Sequence, residues 1–363
     1  MSGPPTPGLD THADGPEARP EADRDLWTAG APLRISLAGG GTDLPSYAHR
    51  FGGAVLAAAV DLRVTVTARR GVRPGVRACL DVCGHARAAD DLANPFAREL
   101  VRRHWKGGAL ELVSEGDVPP GTGLGSSAAF CVALLAGLRG RMDDRVGLAE
   151  EAGAVEHVAL GRPVGRQDHY LSALGGFRLL HFARHGGVEV EDVEVPEEVS
   201  GRLAGELLLF SSGVSRDAGK VLSDQHQRVV GGNEDTRNRL HEIKALVPAA
   251  VSALRRGDGS ALGEVLARHW ALKRGLGDGV SLPLVDLAYR DALEAGATGG
   301  KLLGAGGGGF MLVHARPEVR DPVCAALSAH GFTQQHFAFS RTGVEVGPAV
   351  GRPRPHTHRS APG

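Results

Sequence analysis

Residues Pro119 to Ala129 read P-P-G-T-G-L-G-S-S-A-A, and this stretch constrains the chain more than any other. Gly121, Gly123 and Gly125 precede Ser126 and Ser127, and an apolar run follows through Phe130, Val132, Ala133, Leu134, Leu135 and Leu138. Glycine takes positive φ without a Cβ penalty and lets the backbone approach a bulky anion. Serines that open a helix sit where the first N–H groups lack internal partners and the dipole favours negative charge. Pro120, Gly121, Gly123, Leu124, Gly125, Ser126 and Ser127 are therefore candidate phosphate contacts. No Lys follows the last glycine, so the stretch is not a P-loop. Taken alone it also fits an ordinary glycine-rich turn capped by Ser126.

A chain of 363 residues with 42% hydrophobic content can bury one large core or two moderate ones, and its length favours two domains. A formal net charge of −1 gives no electrostatic case for nucleic acid or an anionic membrane. No apolar run approaches the length of a membrane span. Cys79, Cys83, Cys131 and Cys324 are too sparse for a disulfide framework, which points to a reduced, cytoplasmic protein. Cys79, Cys83 and His85 have no second Cys/His pair and do not make a zinc site.

Residues 1–28 and 349–363 are Pro-, Gly- and charge-rich and are expected to be disordered, with folded structure starting at Ala31. Leu33, Ile35 and Leu37 alternate with polar neighbours, predicting a strand that empties into A-G-G-G-T-D, Ala38 to Asp43. The glycines clear space for a ligand, and Asp43 either accepts hydroxyl hydrogen bonds or caps the next helix. Gly53–Val60 and Leu62–Ala68 read as further strands, and Leu148–Leu160 as a helix carrying Glu156. Asp168 lies in G-R-Q-D-H-Y, Gly165 to Tyr170, beside a basic residue and between glycine turns. That setting suits a carboxylate held at a ligand, although a lone Asp in a polar loop is usually a solvated turn residue. The run 189–198 carries six acidic residues and reads as a solvated hairpin or linker. S-S-G-V-S-R, Ser211 to Arg216, follows a short strand and is a weak phosphate signal. Leu240, Ile243, Leu246, Val247, Val251 and Leu254 mark one amphipathic helical face. K-L-L-G-A-G-G-G-G-F-M-L-V, Lys301 to Val313, places four glycines ahead of an apolar strand, where backbone must pass close to a ligand or another loop.

Taken together, the A-G-G-G-T-D segment, the P-x-x-x-G-L-G-S-S-A-A loop and the G-A-G-G-G-G-F segment resemble the three motifs of the GHMP small-molecule kinases over residues 31–345. A-P-L-R-I-S-L-A-G-G-G-T-D (31–43), G-R-Q-D-H-Y (165–170), W-A-L-K (270–273) and G-G-K-L-L-G-A-G-G-G-G-F-M-L (299–312) resemble the heptose-phosphate kinase branch.

The resemblance implies an α+β fold of two domains: a ribosomal-protein-S5-like unit over 29–205 and a ferredoxin-like unit over 206–348, with the active site between them. It implies ATP and Mg²⁺, and phosphorylation of the anomeric hydroxyl of a heptose 7-phosphate to the 1,7-bisphosphate. The Pro119–Ala129 loop would wrap the ATP phosphates, Ser127 and Glu156 would reach Mg²⁺, and Asp168 with Arg34 would be catalytic. Gly40, Gly41, Thr42, Asp43, Arg166, Gln167, Arg216, Lys273, Gly306, Gly307 and Gly308 would face the sugar phosphate. Arg166 stands where the branch commonly has Lys, and S-S-G-V-S-R replaces an aromatic-Thr-Gly-x-Ser-Arg run. A planar fork is not a point charge, so the sugar stays open: a free-sugar kinase of fucokinase or galactokinase type is the alternative. A diphosphate decarboxylase or a ligand sensor without turnover is more remote. The protein is expected to be a monomer or homodimer.

Overall fold

The computed structural model describes residues 26–140, 142–214 and 218–348. The first strand, β1 (Leu26–Ala38), alternates buried and open positions in its first half and is buried on both faces in its second. It pairs with β2 (Gly53–Arg70), which runs for 18 residues and so fuses the two strands expected there. The Val64–Arg70 half of β2 pairs with β5 (Leu110–Gly116), and β5 carries the hairpin of β3 (Val76–Cys79) and β4 (Cys83–Ala86). The Gly53–Ala58 half pairs with β6 (Phe177–Phe182), followed by β7 (Val188–Asp192).

Against β1 and β2 lie α3 (Ser126–Arg139) and α5 (Gln167–Leu174), with α2 (Pro95–His104) and α4 (Arg145–Ala154) packed on α3, while α1 (Pro45–Phe51) joins β1 to β2. The central α3 is buried without interruption from Ala128 to Gly137, as expected of a helix apolar all round. Its approach to β1 is close: a Cβ on Gly137 would lie 1.9 Å from the Trp27 ring.

After α6 (Glu197–Glu206) the chain enters a second sheet through β8 (Leu207–Ser211). Four helices follow: α7 (Ala218–Val230), α8 (Glu234–Ala245), α9 (Val247–Arg256) and α10 (Gly259–Lys273). Then come α11 (Pro283–Glu294), β9 (Gly299–Leu302), β10 (Phe310–His314), α12 (Arg320–Ala329) and β11 (Thr333–Gln335). The strand order is β11-β8-β10-β9, all antiparallel. The last strand, β12 (Glu345–Gly347), leaves this sheet and returns to β1, with Thr28 opposite Gly347. One apolar cluster joins Leu33 and Leu37 of β1 to Leu209, Phe310 and Leu312 of the second sheet.

Several expectations change. Folded structure begins at Leu26 rather than Ala31, because Trp27 and Ala29 already bury their side chains on β1. The expected disordered segments fall, apart from residues 26–28, outside the described residues. The expected 148–160 helix ends at Ala154 and continues as a π-helical turn, Val155–Ala159. The amphipathic face over 240–254 is split between α8 and α9, with Pro248 in the first turn of α9. The acidic run forms β7 and α6. Cys79 and Cys83, opposite each other in the β3–β4 hairpin, form a disulfide, which local strand register brings about without a wider cysteine framework. Among the described residues no helix is long and apolar enough to cross a membrane.

Candidate active site

A cavity of about 720 Å³ lies between the two sheets. Its lining includes Arg34, Ser36 and Asp43 from the first half of the chain and Lys273, Lys301 and Gly304 from the second. The loop ahead of α3 forms one wall, with Gly121, Gly123 and Gly125 at φ 76°, 88° and 81°. Gly125 is the N-cap of α3 and offers no side-chain acceptor. The dipole end of a buried helix therefore opens toward Ser126 and Ser127, both in the cavity wall. Pro120 lines the cavity as well, whereas Leu124 is core and its carbonyl accepts from the Arg34 amide at 3.0 Å.

The third glycine segment braces this loop. The Phe310 N–H donates to the Thr122 carbonyl at 3.0 Å, and a Cβ on Gly309 would lie 2.3 Å from the same oxygen. Gly304 abuts Gly123, where an added Cβ would stand 2.5 Å from the Gly123 Cα. Gly306 and Gly307 pack on Val280 and Gly308 on Val214, so these three glycines serve loop-to-loop contact and line no part of the cavity.

Asp168 stands on the first turn of α5 and meets Arg34 of β1 in a two-pronged pair: Nε to Oδ1 at 2.6 Å and Nη2 to Oδ2 at 2.8 Å. Arg34 Nη1 also donates to the Gly123 carbonyl at 2.6 Å, tying the carboxylate to the glycine loop. A Cβ on Gly125 would lie 3.0 Å from Asp168 Oδ2, so only glycine lets the two come this close. Asp43 accepts from the Gly41 amide at 3.1 Å and from Gln167 Nε2 at 3.1 Å. Burial pushes its carboxyl above the usual range, and the Asp168 charge adds to the effect. Asp43 does not cap α1, whose N-cap is Leu44.

Glu156 lies on the π-helical turn, buried, with Arg162 Nη1 donating to Oε1 at 3.0 Å and His169 Nε2 3.3 Å from Oε2. Burial raises this carboxyl, but His169 and Arg162 outweigh it and hold it below its ordinary value. Lys273, at the end of α10, donates to the Leu302 and Gly304 carbonyls at 2.9 and 2.6 Å. Burial, reinforced by Arg34, lowers its pKa to about 7. Lys301 donates to the Leu37 carbonyl at 3.3 Å and lies 3.1 Å from His269 Nδ1. Burial, with Lys273 and Arg34 nearby, pulls Lys301 well below its ordinary value.

Gly40, Gly41, Asp43, Gln167 and Lys273 thus join Arg34 and Asp168 at the cavity. Thr42 and Arg166 do not. The Thr42 hydroxyl is buried against the Gly39 and Ala54 carbonyls. Arg166 turns away to the Gly186 carbonyl at 2.6 Å and stacks over Phe182. Arg216 lies outside the described residues. Among the described residues no group of three or more His, Cys, Asp and Glu side chains makes a preassembled metal site. Ser127 and Glu156 do line the same cavity. One carboxylate with one hydroxyl suits an ion that takes most of its shell from water and phosphate. Lys301, His269, Ser36 and Gln225 also line the cavity. Lys301 and Ser36 sat in quoted motifs, K-L-L-G-A-G and A-P-L-R-I-S-L, without being singled out, and Gln225 and His269 sat in none.

A glycine-walled cradle at a helix N-terminus, facing an Arg-clamped carboxylate, defines a small-molecule phosphotransferase. The chain belongs to the GHMP kinase family: the profile "GHMP kinases N terminal domain" matches residues 91–176 and "GHMP kinases C terminal" residues 250–332. It is 27% identical over 329 residues to the D-glycero-alpha-D-manno-heptose 7-phosphate kinase of Campylobacter jejuni, covering 86% of this chain and 96% of that protein. It is 30% identical over 294 residues to the mevalonate kinase of Archaeoglobus fulgidus, covering 78% and 90%. The fold matches the crystal structure of a D-glycero-D-manno-heptose 1-phosphate kinase from Bacteroides thetaiotaomicron with a TM-score of 0.72. That match has 21% identity and covers 90% of this chain and all of that one.

Proposed function

We propose that this kinase uses ATP and Mg²⁺ to phosphorylate the anomeric hydroxyl of a heptose 7-phosphate, giving the 1,7-bisphosphate and ADP. The observation that carries the chemistry is the Arg34–Asp168 pair held against the glycine loop. Similarity to the Campylobacter jejuni kinase supports the sugar.

In this reading the loop around Gly121–Gly125 and the opening N–H groups of α3 hold the ATP phosphates, and Ser127 with Glu156 hold the metal ion. Bound Mg²⁺ supplies charge neutralisation on the phosphates. Asp168 takes the proton of the acceptor hydroxyl as that oxygen bonds to the γ-phosphorus and the bond to the ADP oxygen breaks. Arg34 fixes the plane of the carboxylate. Asp43 and Gln167 orient the sugar. Phosphoryl transfer needs chiefly positioning and charge stabilisation, with the general base contributing about 10²–10⁴-fold.

A free-sugar anomeric kinase is the second reading. Arg166 and Lys273, candidates for gripping a substrate phosphate, are both engaged by backbone carbonyls. The chain is also 25% identical to the L-fucokinase/L-fucose-1-P guanylyltransferase of Bacteroides fragilis, over 88% of this chain and 37% of that protein. ADP release with ATP and Mg²⁺ over a panel of heptose 7-phosphate, fucose, galactose and mannose separates the two. Turnover of the heptose 7-phosphate, with a new anomeric resonance by phosphorus NMR, is the expected result. Turnover of a free sugar alone would overturn it in favour of the second reading.

A further inference from the structure

Three residues that line the same cavity each carry a buried polar atom that no protein group satisfies: Ser36 Oγ, Gln167 Oε1 and Gln225 Nε2. Their residues are only 5%, 7% and 5% exposed. A buried polar atom left unpaired is costly, so native structures rarely keep several in one place without a ligand or water to meet them. The side chains of these three residues gather around one short piece of backbone. A Cβ on Gly40 would lie 2.9 Å from Ser36 Oγ and 3.8 Å from Gln167 Nε2, and one on Gly41 would lie 3.2 Å from Gln225 Nε2. Asp43 belongs to the same group through its bonds from Gln167 and Gly41.

We infer that Ser36, Gln167 and Gln225 form a hydroxyl-reading subsite for a cyclic polyol, and that Ser36 and Gln225 set which acceptor the enzyme takes. The inference rests on the sugar-kinase reading and deepens it. A hydroxyl both donates and accepts, and this group offers both partners: an amide N–H₂ from Gln225, acceptors from Gln167 and Asp43, and a Ser hydroxyl that serves either way. A phosphate only accepts and would face the Gln167 carbonyl and the Asp43 carboxylate, so a phosphate on the acceptor lies outside this subsite. Ser36 comes from β1 and Gln225 from α7, so the acceptor is gripped from both halves of the chain.

The test uses the full chain with Ser36→Ala and Gln225→Leu, the serine variant being small enough to leave the fold intact. At saturating ATP each variant raises the acceptor KM about tenfold, the worth of one hydrogen bond. The KM for ATP stays within about twofold and the melting temperature does not fall, since an unpaired buried group has been removed. A panel of monodeoxy analogues of the acceptor adds a sharper readout: wild type rejects one analogue that Ser36→Ala accepts as well as the parent sugar. Unchanged acceptor KM in both variants, with heptose 7-phosphate turned over by wild type, overturns the subsite and leaves the kinase reading standing. If wild type turns over a different panel sugar, the heptose reading falls and the same variants judge the subsite on that sugar. No turnover and no calorimetric binding of any panel sugar overturns both.

Discussion

Arg34 ties Asp168 to the glycine loop from a single strand position. Its guanidinium clamps both oxygens of Asp168 and reaches the Gly123 carbonyl. A lysine is a point charge on a flexible stem and cannot span those three acceptors. Arg34→Lys should therefore lower kcat about tenfold or more while melting within a few degrees of wild type, checked by steady-state kinetics and calorimetry. Asp168→Asn should lower kcat by about 10²–10⁴-fold and leave nucleotide affinity nearly unchanged in a titration. Wild-type activity in that variant would remove Asp168 from the reaction. Lys273 makes a pH prediction. Its pKa falls from the ordinary lysine value of 10.5 to about 7 on folding, so between those pH values the unfolded chain binds the extra proton. Stability from this group is therefore lowest below pH 7 and rises toward pH 10.5. Against Lys273→Met, the wild-type melting temperature should gain ground across that window. At this scale the sequence was legible where chemistry is written into a local pattern: Asp168 between glycine turns, Asp43 after three glycines. Ser36, Gln225 and His269 were not, because they meet at the cavity only through convergence across the fold. Arg166 was misleading for a related reason. It lies just ahead of α5, and adjacency to Asp168 in sequence did not give it the same direction in space.

The glycine segments act as interlocking elements. The third supports the first wall of the cavity more than it faces a ligand, as the contacts of Gly304 with Gly123 and Gly309 with Thr122 require. Gly309 has φ 84° and lines no part of the cavity. Gly309→Ala should nevertheless weaken ATP binding. The left-handed conformation alone costs about 1–2 kcal/mol, and the new methyl presses on the Thr122 carbonyl. Calorimetric titration with ATP checks it; nucleotide affinity equal to wild type would mean that the two loops are not coupled. Four consecutive glycines made a special backbone path evident from sequence, but left open whether a ligand or a loop occupied the space. The π-helical turn at Glu156 was invisible for a different reason. Apolar spacing over 148–160 fits a regular helix, and a single turn of i→i+5 bonding shifts that spacing too little to register. Such turns occur often at functional sites.

At the scale of the molecule, the two sheets share an apolar cluster that runs from Leu33 and Leu37 to Phe310 and Leu312. Unfolding should therefore be one cooperative transition rather than two. Scanning calorimetry checks this through equal calorimetric and van't Hoff enthalpies, and two resolved peaks would show that each half melts alone. The two-unit division was legible from length and from the resemblance to the GHMP kinases. The return of the last strand to the first sheet was not, since Glu345–Gly347 is too short to carry a pattern of its own. That strand has a consequence in time. On a ribosome the chain emerges in order, and β1 precedes the other described elements. Its outer edge waits for Gly347, and the glycine loop of the cavity wall waits for Gly304 and Gly309 to brace it. A nascent chain halted after β8 would carry Arg34, Asp168 and the serines of α3, yet its first sheet would still show a bare edge. For such an intermediate that edge invites pairing with a neighbouring nascent chain, and it stays open until the last strand, Glu345–Gly347, arrives, after Gly304 and Gly309 have already braced the glycine loop.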